Sequence, residues 1–315
     1  MHPKLMRGIK LYVSSIFIYA LGLLLITIIP FYQTYLMENT KRYLFLLFFL
    51  YLITSPLYYF FTITETAANK PYLIMHYLKK TIFQHKFYPL NHEEKVALLF
   101  LLVKFFFLPL MLNFFLGNIA QLINAAKIQW YPFLFTLLFT IDTLMFTIGY
   151  SIELSSLKNT VKSVEPTFLG WFVALICYPP FNQIVGNYIP WGANDYINFG
   201  NPLLTTVMHI FIILLLIIYV WATLALGFKA SNLTNRGIVT KFPYSLIRHP
   251  AYISKNLMWW LTLLPIITIP FALGLLFWSI IYLFRAYTEE RHLSQDADYV
   301  EYKQKVQYKF IPYLY

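Results

Sequence analysis

The chain alternates long apolar runs with short basic or polar breaks. Runs at residues 11–32, 43–63, 96–116, 130–150, 168–187 and 203–226 each hold about 20 residues, enough for a helix rising about 1.5 Å per residue to cross the hydrocarbon layer. A seventh run, residues 257–284, is too long for one ordinary crossing and carries Pro265 and Pro270 near its middle. Proline lacks the amide hydrogen and clashes with the preceding turn, so this run predicts two short helices joined by a turn. The pattern predicts an all-α polytopic membrane helix bundle of about eight segments that ends in a helical hairpin and a polar tail.

Residues 70–95 read differently. Tyr72, Leu73, Ile74, Met75, Tyr77, Leu78, Ile82 and Phe83 are mixed with Lys79, Lys80 and Lys86, which suits a helix lying in the membrane interface. The first run follows a basic start but is longer than a signal-peptide core and lacks a small-residue cleavage signature before Pro30, so it reads as an uncleaved anchor. The sequence contains no convincing internal repeat, low-complexity tract or long linker.

Composition agrees. Of 315 residues, 59% are hydrophobic and 12% charged, about half the charged share of soluble domains. Cys177 is the one cysteine, which excludes an internal disulfide and a cysteine-based zinc site, and no metal site is expected. The net charge of +11 describes membrane orientation rather than nucleic-acid binding. Three Lys or Arg lie before the first run, five in 64–95, two in 151–167, five in 227–255 and five from Arg285 onward. Only Lys41, Arg42 and Lys127 fall in the alternate loops, and Lys104 falls within a run. By the positive-inside rule both termini face the cytoplasm, and the loop at 227–255 shares that side with the C-terminal tail.

Three ionisable residues sit at bilayer depth: Lys104, Asp142 and His209. Such groups are costly in hydrocarbon, so each faces protein or water. Helix-to-helix hydrogen bonding and a functional role both remain open for them. Asn182 and Gln183, after Pro179 and Pro180, suit either a cavity wall or a kink.

The densest polar chemistry lies near the C-terminus. Residues 227–252 read GFKASNLTNRGIVTKFPYSLIRHPAY, a loop between apolar segments that places Arg248 beside His249 and Pro250. Beyond the hairpin comes FRAYTEERHL, with Arg285, Glu289 and Glu290. Arg285 and Glu289 are four apart, so an intrahelical ion pair is one reading. A pocket closed between a basic, aromatic loop and an acidic helix end is the other.

At these residues the chain resembles the isoprenylcysteine carboxyl methyltransferases and, more loosely, the membrane phospholipid methyltransferases. RGIVT and FPYSLIRHPAY resemble the segment leading into that family's Arg-His-Pro-x-Tyr motif, FRAYTEERHL its Phe-Arg-x-x-Thr-Glu-Glu segment, and DYVEYKQKV the tail that ends its domain. The likeness covers about residues 200–315, where Ser254 stands at a position usually held by Gly, a residue that allows close backbone approach. It implies two parts: N-terminal transmembrane helices over 1–166, without a readable role, and a methyltransferase-like core over 167–315. It also implies a cytosolic tail that binds S-adenosylmethionine, with a lipidic or lipid-linked acceptor (carboxylate, amine or thiol) entering from the bilayer.

Carried over, Arg248, His249, Pro250 and Tyr252 form one wall and Arg285, Glu289 and Glu290 the other. Arg248 pairs with the donor's carboxylate, a glutamate holds its ammonium or ribose, and Tyr244 or Tyr252 packs on adenine. His249 is a brace or, for an amine or thiol acceptor, the base. The ending YKFIPYLY resembles membrane sterol reductases, for which the same site would hold NADPH. A non-enzymatic transporter or structural membrane protein, working through Asp142 and Lys104, is the third reading. Oligomeric state is not legible.

Overall fold

The computed structural model describes residues 3–62, 68–125, 129–190 and 198–314. Lys127, counted above among the alternate loops, lies outside them, as do residue 63 and Tyr315. The helices are α1 (Pro3–Ile28), α2 (Pro30–Tyr35), α3 (Glu38–Thr62), α4 (Lys70–Gln84), α5 (His92–Ala125), α6 (Trp130–Ser151), α7 (Phe168–Leu175), α8 (Phe181–Gly186), α9 (Pro202–Leu226), α10 (Pro250–Leu263), α11 (Ile269–Leu293) and α12 (Ala297–Lys305). Two strands of two residues each, β1 (Ser163–Val164) and β2 (Thr234–Asn235), pair antiparallel, with Ser163 opposite Asn235 and Val164 opposite Thr234. Among the described residues, α1, α3, α5, α6, α9 and α11 are long and apolar enough to cross a membrane. The chain is an integral membrane protein with an all-α bundle, as the hydropathy pattern predicts.

Two compact units divide the chain, Met1–Asn113 and Phe114–Tyr315. In the first, α1 packs on α3 and α4. Apolar packing gains little in lipid, so polar contacts between helices matter more there. Asn69 donates to Ser15 Oγ (3.0 Å) and to the Tyr59 hydroxyl (2.8 Å), and the Tyr51 and Tyr59 hydroxyls lie 2.9 Å apart. Lys104 is buried on α5, its ammonium 4.8 Å from the centre of the Tyr19 ring. Residues 70–84 are helical, with Asn69 capping the first turn of α4 by accepting from the Tyr72 N–H at 2.8 Å.

In the second unit α9 is the central post, packed against α6 and α10. Its outer positions Ile210, Leu214, Ile217, Trp221 and Leu224 are exposed, a helical stripe suited to lipid, while Ile212, Leu216 and Tyr219 are buried with Tyr131, Met258, Trp259 and Leu275. Asp142 on α6 accepts from the Tyr219 hydroxyl at 2.9 Å and the Thr223 hydroxyl at 2.6 Å, so this intramembrane carboxyl ties α6 to α9. The His209 ring stacks on Tyr131, 3.6 Å between centroids and 5° between planes.

The run at 168–187 does not form the single crossing expected of it. Consecutive prolines at 179 and 180 remove two amide donors, and the segment becomes the short helices α7 and α8. The hairpin over 257–284 does form, turning through Leu264–Thr268. Its second arm is not short: α11 runs 25 residues and carries its helical face through Arg285 to Leu293. Pro250 at the first turn of α10 and Pro270 at the first turn of α11 sit where no amide hydrogen is needed. Against α11 rests α7 with the residue that follows it, through Val173, Ile176, Trp278 and Ile281.

Candidate active site

One face of the last turns of α11 carries Arg285, Thr288, Glu289 and His292, at helical spacings of three and four. That face borders a solvent-open cleft that is also lined by Glu165, Gly170, Asn232 and Tyr252. The opposite walls are the loop between α9 and β2, the first turn of α10, and the start of α7.

Arg285 is held in place rather than left to swing. Its Nη2 donates to Asn232 Oδ1 at 2.9 Å, and its guanidinium lies 5.3 Å from the Tyr252 ring centre and 5.0 Å from that of Tyr282. Asn232 is fixed in turn, its backbone N–H and side-chain amide donating to the Tyr150 hydroxyl at 2.6 and 2.9 Å and the amide also reaching the Tyr178 hydroxyl at 3.1 Å. Because Arg285 donates to Asn232 and not to Glu289, the intrahelical ion pair open at four-residue spacing does not form. Glu289 instead accepts from the Tyr252 hydroxyl at 2.7 Å with its side chain 44% exposed.

Arg248, His249 and Glu290 form a second, buried cluster that does not line the cleft. Arg248 Nε donates to Glu290 Oε1 at 2.7 Å, and its Nη1 donates to the carbonyls of Val306 (2.7 Å) and Gln307 (2.6 Å). His249 Nε2 lies 3.1 Å from the same glutamate oxygen. The backbone amides of Arg248 and His249 donate to the carbonyls of Tyr308 and Lys309, and the Lys303 and Lys309 ammoniums each lie 3.8 Å from Glu290 Oε2. This cluster straps the tail after α12 across the turn that opens α10. Pro250 belongs to that turn, and Tyr244 packs with Tyr299, Tyr302 and Val306 under the strap. Ser254 is buried, its hydroxyl donating to the Pro250 carbonyl at 2.7 Å, so the missing glycine leaves the helix intact.

Of the residues read as site walls, Tyr252, Arg285 and Glu289 meet at the cleft, while Arg248, His249, Glu290, Pro250 and Tyr244 meet at the strap. Glu165, Asn232 and His292 also line the cleft and were not singled out from the sequence, although Asn232 and His292 fall inside the quoted segments. Glu165 is 2% exposed and follows β1, where its amide donates to the Leu233 carbonyl at 2.8 Å. Its Oε1 accepts from Arg291 Nη2 at 2.7 Å, from the Thr167 hydroxyl at 2.5 Å and from the Thr167 amide at 3.1 Å, and its Oε2 has no hydrogen-bond partner among the described residues. Sequence offered only a lone carboxylate ahead of a capping Thr as a signal.

Outside the spans, Asp296 fixes the strands to the start of α12, accepting from Asn235 Nδ2 at 2.8 Å and from Lys162 Nζ at 2.9 Å. Partial burial works against ionisation, yet these hydrogen bonds prevail and hold the carboxyl below the usual carboxylate range. The hydrogen bond to Asp296 in turn raises the Lys162 ammonium. No group of three or more metal-ligating side chains occurs among the described residues.

Residues 203–296 match the model of the phospholipid methyltransferase family. The match takes in α9, the Arg-His-Pro turn, the hairpin and the whole cleft face of α11, and supports a membrane methyltransferase of phospholipid type. No curated protein matches the chain. Neither the narrower likeness to isoprenylcysteine methyltransferases nor that of the tail to sterol reductases is shown by this match.

Proposed function

We propose that the chain is an S-adenosylmethionine-dependent methyltransferase that binds its donor in the cleft beside α11 and methylates a lipidic or lipid-linked acceptor. The observation that carries this reading is the convergence of Arg285, Glu289 and Tyr252 on one cleft within the matched segment. A zwitterionic amino-acid group joined to a nucleoside needs a cation, carboxylate acceptors and an aromatic surface close together, and these residues supply them.

When bound, the donor supplies a methyl group on a positively charged sulfur, so the protein has to provide no nucleophile. Its work is positioning reactants about 3–3.5 Å apart and in line. Arg285, pre-oriented by Asn232, meets the donor's carboxylate. Glu289 takes hydrogens from its hydroxyl or ammonium groups, and Tyr252 offers a ring face. Arg248 and Glu290 act indirectly by holding the tail over the turn that carries Tyr252. The apolar flank of the hairpin admits the acceptor from the bilayer, and exclusion of water there favours the reaction of a charged sulfonium. A lipid amine would have to shed a proton, and His249, stacked on Tyr252 with its Nδ1 4.0 Å from the cleft carboxylate of Glu289, is the candidate base that the motif offers. With the basic segments cytosolic, both termini and the cleft face the cytoplasm.

Binding of S-adenosylhomocysteine to the purified protein, measured by calorimetry, tests the reading. Saturable binding that is lost in Glu289→Ala supports it. Saturable NADPH binding without S-adenosylhomocysteine binding overturns it in favour of a reductase, although two cleft carboxylates would repel that ligand's phosphates.

A further inference from the structure

The buried carboxylate of Glu165 lies outside the matched segment and outside every motif read from the sequence. We infer that Glu165 is the ammonium-binding residue of the cleft, recognising the α-amino group of the donor's amino-acid end. This rests on the methyl-donor reading and assigns one of its contacts.

Two independent observations carry it. Glu165 lines the cleft, and it is a nearly fully buried carboxylate with one oxygen, Oε2, unpartnered among the described residues. The other oxygen is fully engaged by Arg291 and Thr167. A buried carboxylate oxygen without a donor is costly, and the group that relieves the cost best is a cation with several N–H donors. Glu289 is a poorer candidate, since its side chain is nearly half exposed and already accepts from Tyr252. It suits the ribose hydroxyls at the mouth. An α-amino acid carries ammonium and carboxylate on one carbon, so its recognition needs an acid and a base bordering one space. Glu165 and Arg285 meet that requirement.

The position is built, not incidental. The Glu165 carbonyl accepts from Trp171 Nε1 at 2.7 Å, fixing the backbone, and the start of α7 leaves room for the side chain because residue 170 is glycine. A β-carbon there would fall 2.6 Å from Glu165 Cδ and 2.8 Å from Oε1.

The test compares S-adenosylhomocysteine with its deaminated analogue, which keeps the carboxylate, ribose and adenine but lacks the amino group. Wild-type protein is expected to prefer the amino form by about tenfold to a hundredfold, the span of one charge-assisted hydrogen bond in a buried site. Glu165→Gln is expected to erase that preference by weakening the amino form alone, while Glu289→Gln keeps it. Should Glu165→Gln fail to fold, Glu165→Asp, which keeps the charge but withdraws it by one methylene, is measured instead and should lower the preference. A preference that survives in the Glu165 variant, or that vanishes in Glu289→Gln instead, overturns the assignment. So does equal weakening of both ligands, which marks a merely structural role. If wild-type protein binds neither ligand, the methyl-donor reading itself has failed, an outcome distinct from the others.

Discussion

Replacing Arg248 by alanine separates a strap from a donor-binding wall. The substitution removes a 2.7 Å ion pair to Glu290 and two hydrogen bonds, at 2.7 and 2.6 Å, to tail carbonyls. It also leaves Glu290, whose side chain is 7% exposed, without its guanidinium. Breaking a buried pair from one side costs about 3–5 kcal/mol. Here His249 at 3.1 Å and two lysine ammoniums at 3.8 Å remain near the stranded carboxylate, which puts the expected loss near the lower end, about 3 kcal/mol. The loss should fall on the tail. Trypsin should reach Lys303, Lys305 and Lys309 sooner, and thermal denaturation in detergent should shift downward. Below that transition, S-adenosylhomocysteine affinity should change by less than about threefold, because Arg248 makes no contact with the cleft. Arg285→Lys should do the reverse, weakening the ligand about tenfold through loss of the planar fork while leaving the tail protected. The reasoning is refuted if Arg248→Ala keeps wild-type protease resistance and loses ligand binding.

Other outcomes follow from the same geometry. Asp142→Asn should cost about 0.6–1.7 kcal/mol, the range for hydrogen bonds between membrane helices, and leave methyl transfer intact; abolished transfer in a folded variant would assign Asp142 to the chemistry. Gly170→Ala would put a β-carbon 2.2 Å from Glu165 Cγ, so it should displace Glu165 and weaken the donor by about tenfold or more, as expected for an overpacked position, and an unchanged affinity would show that Glu165 yields freely. Asp296 has a folded-state pKa below its unfolded value, so its contribution is complete above about pH 4 and is lost as pH falls through the folded value. Protease protection of the tail should therefore decline on acidification, and Asp296→Asn should weaken protection at neutral pH and flatten that decline.

Much of the bundle was legible because an uninterrupted run of about 20 apolar residues has few alternatives to a spanning helix. The run at 168–187 was misread where adjacent prolines outweighed hydropathy, and α11 was longer than expected because a helix keeps its hydrogen bonds when its side chains turn polar. At the site, order along the chain singled out two segments that the fold brings together, but not which of their residues share a face. Arg248 has the chemistry to hold a ligand carboxylate, and the same chemistry serves Glu290 and two carbonyls whose arrival depends on the path of the tail. Glu165 was out of reach, since nothing local to a single carboxylate announces a cleft assembled from α7, α10 and α11.

Incubating the protein in lipid vesicles with methyl-labelled S-adenosylmethionine, and following label into the lipid fraction, tests the central claim most directly. Label should pass to lipid with wild-type protein and fail to pass with Arg285→Ala or Glu289→Ala. Transfer undiminished in both variants, or no transfer by folded wild-type protein to any lipid in a total membrane extract, would contradict the account.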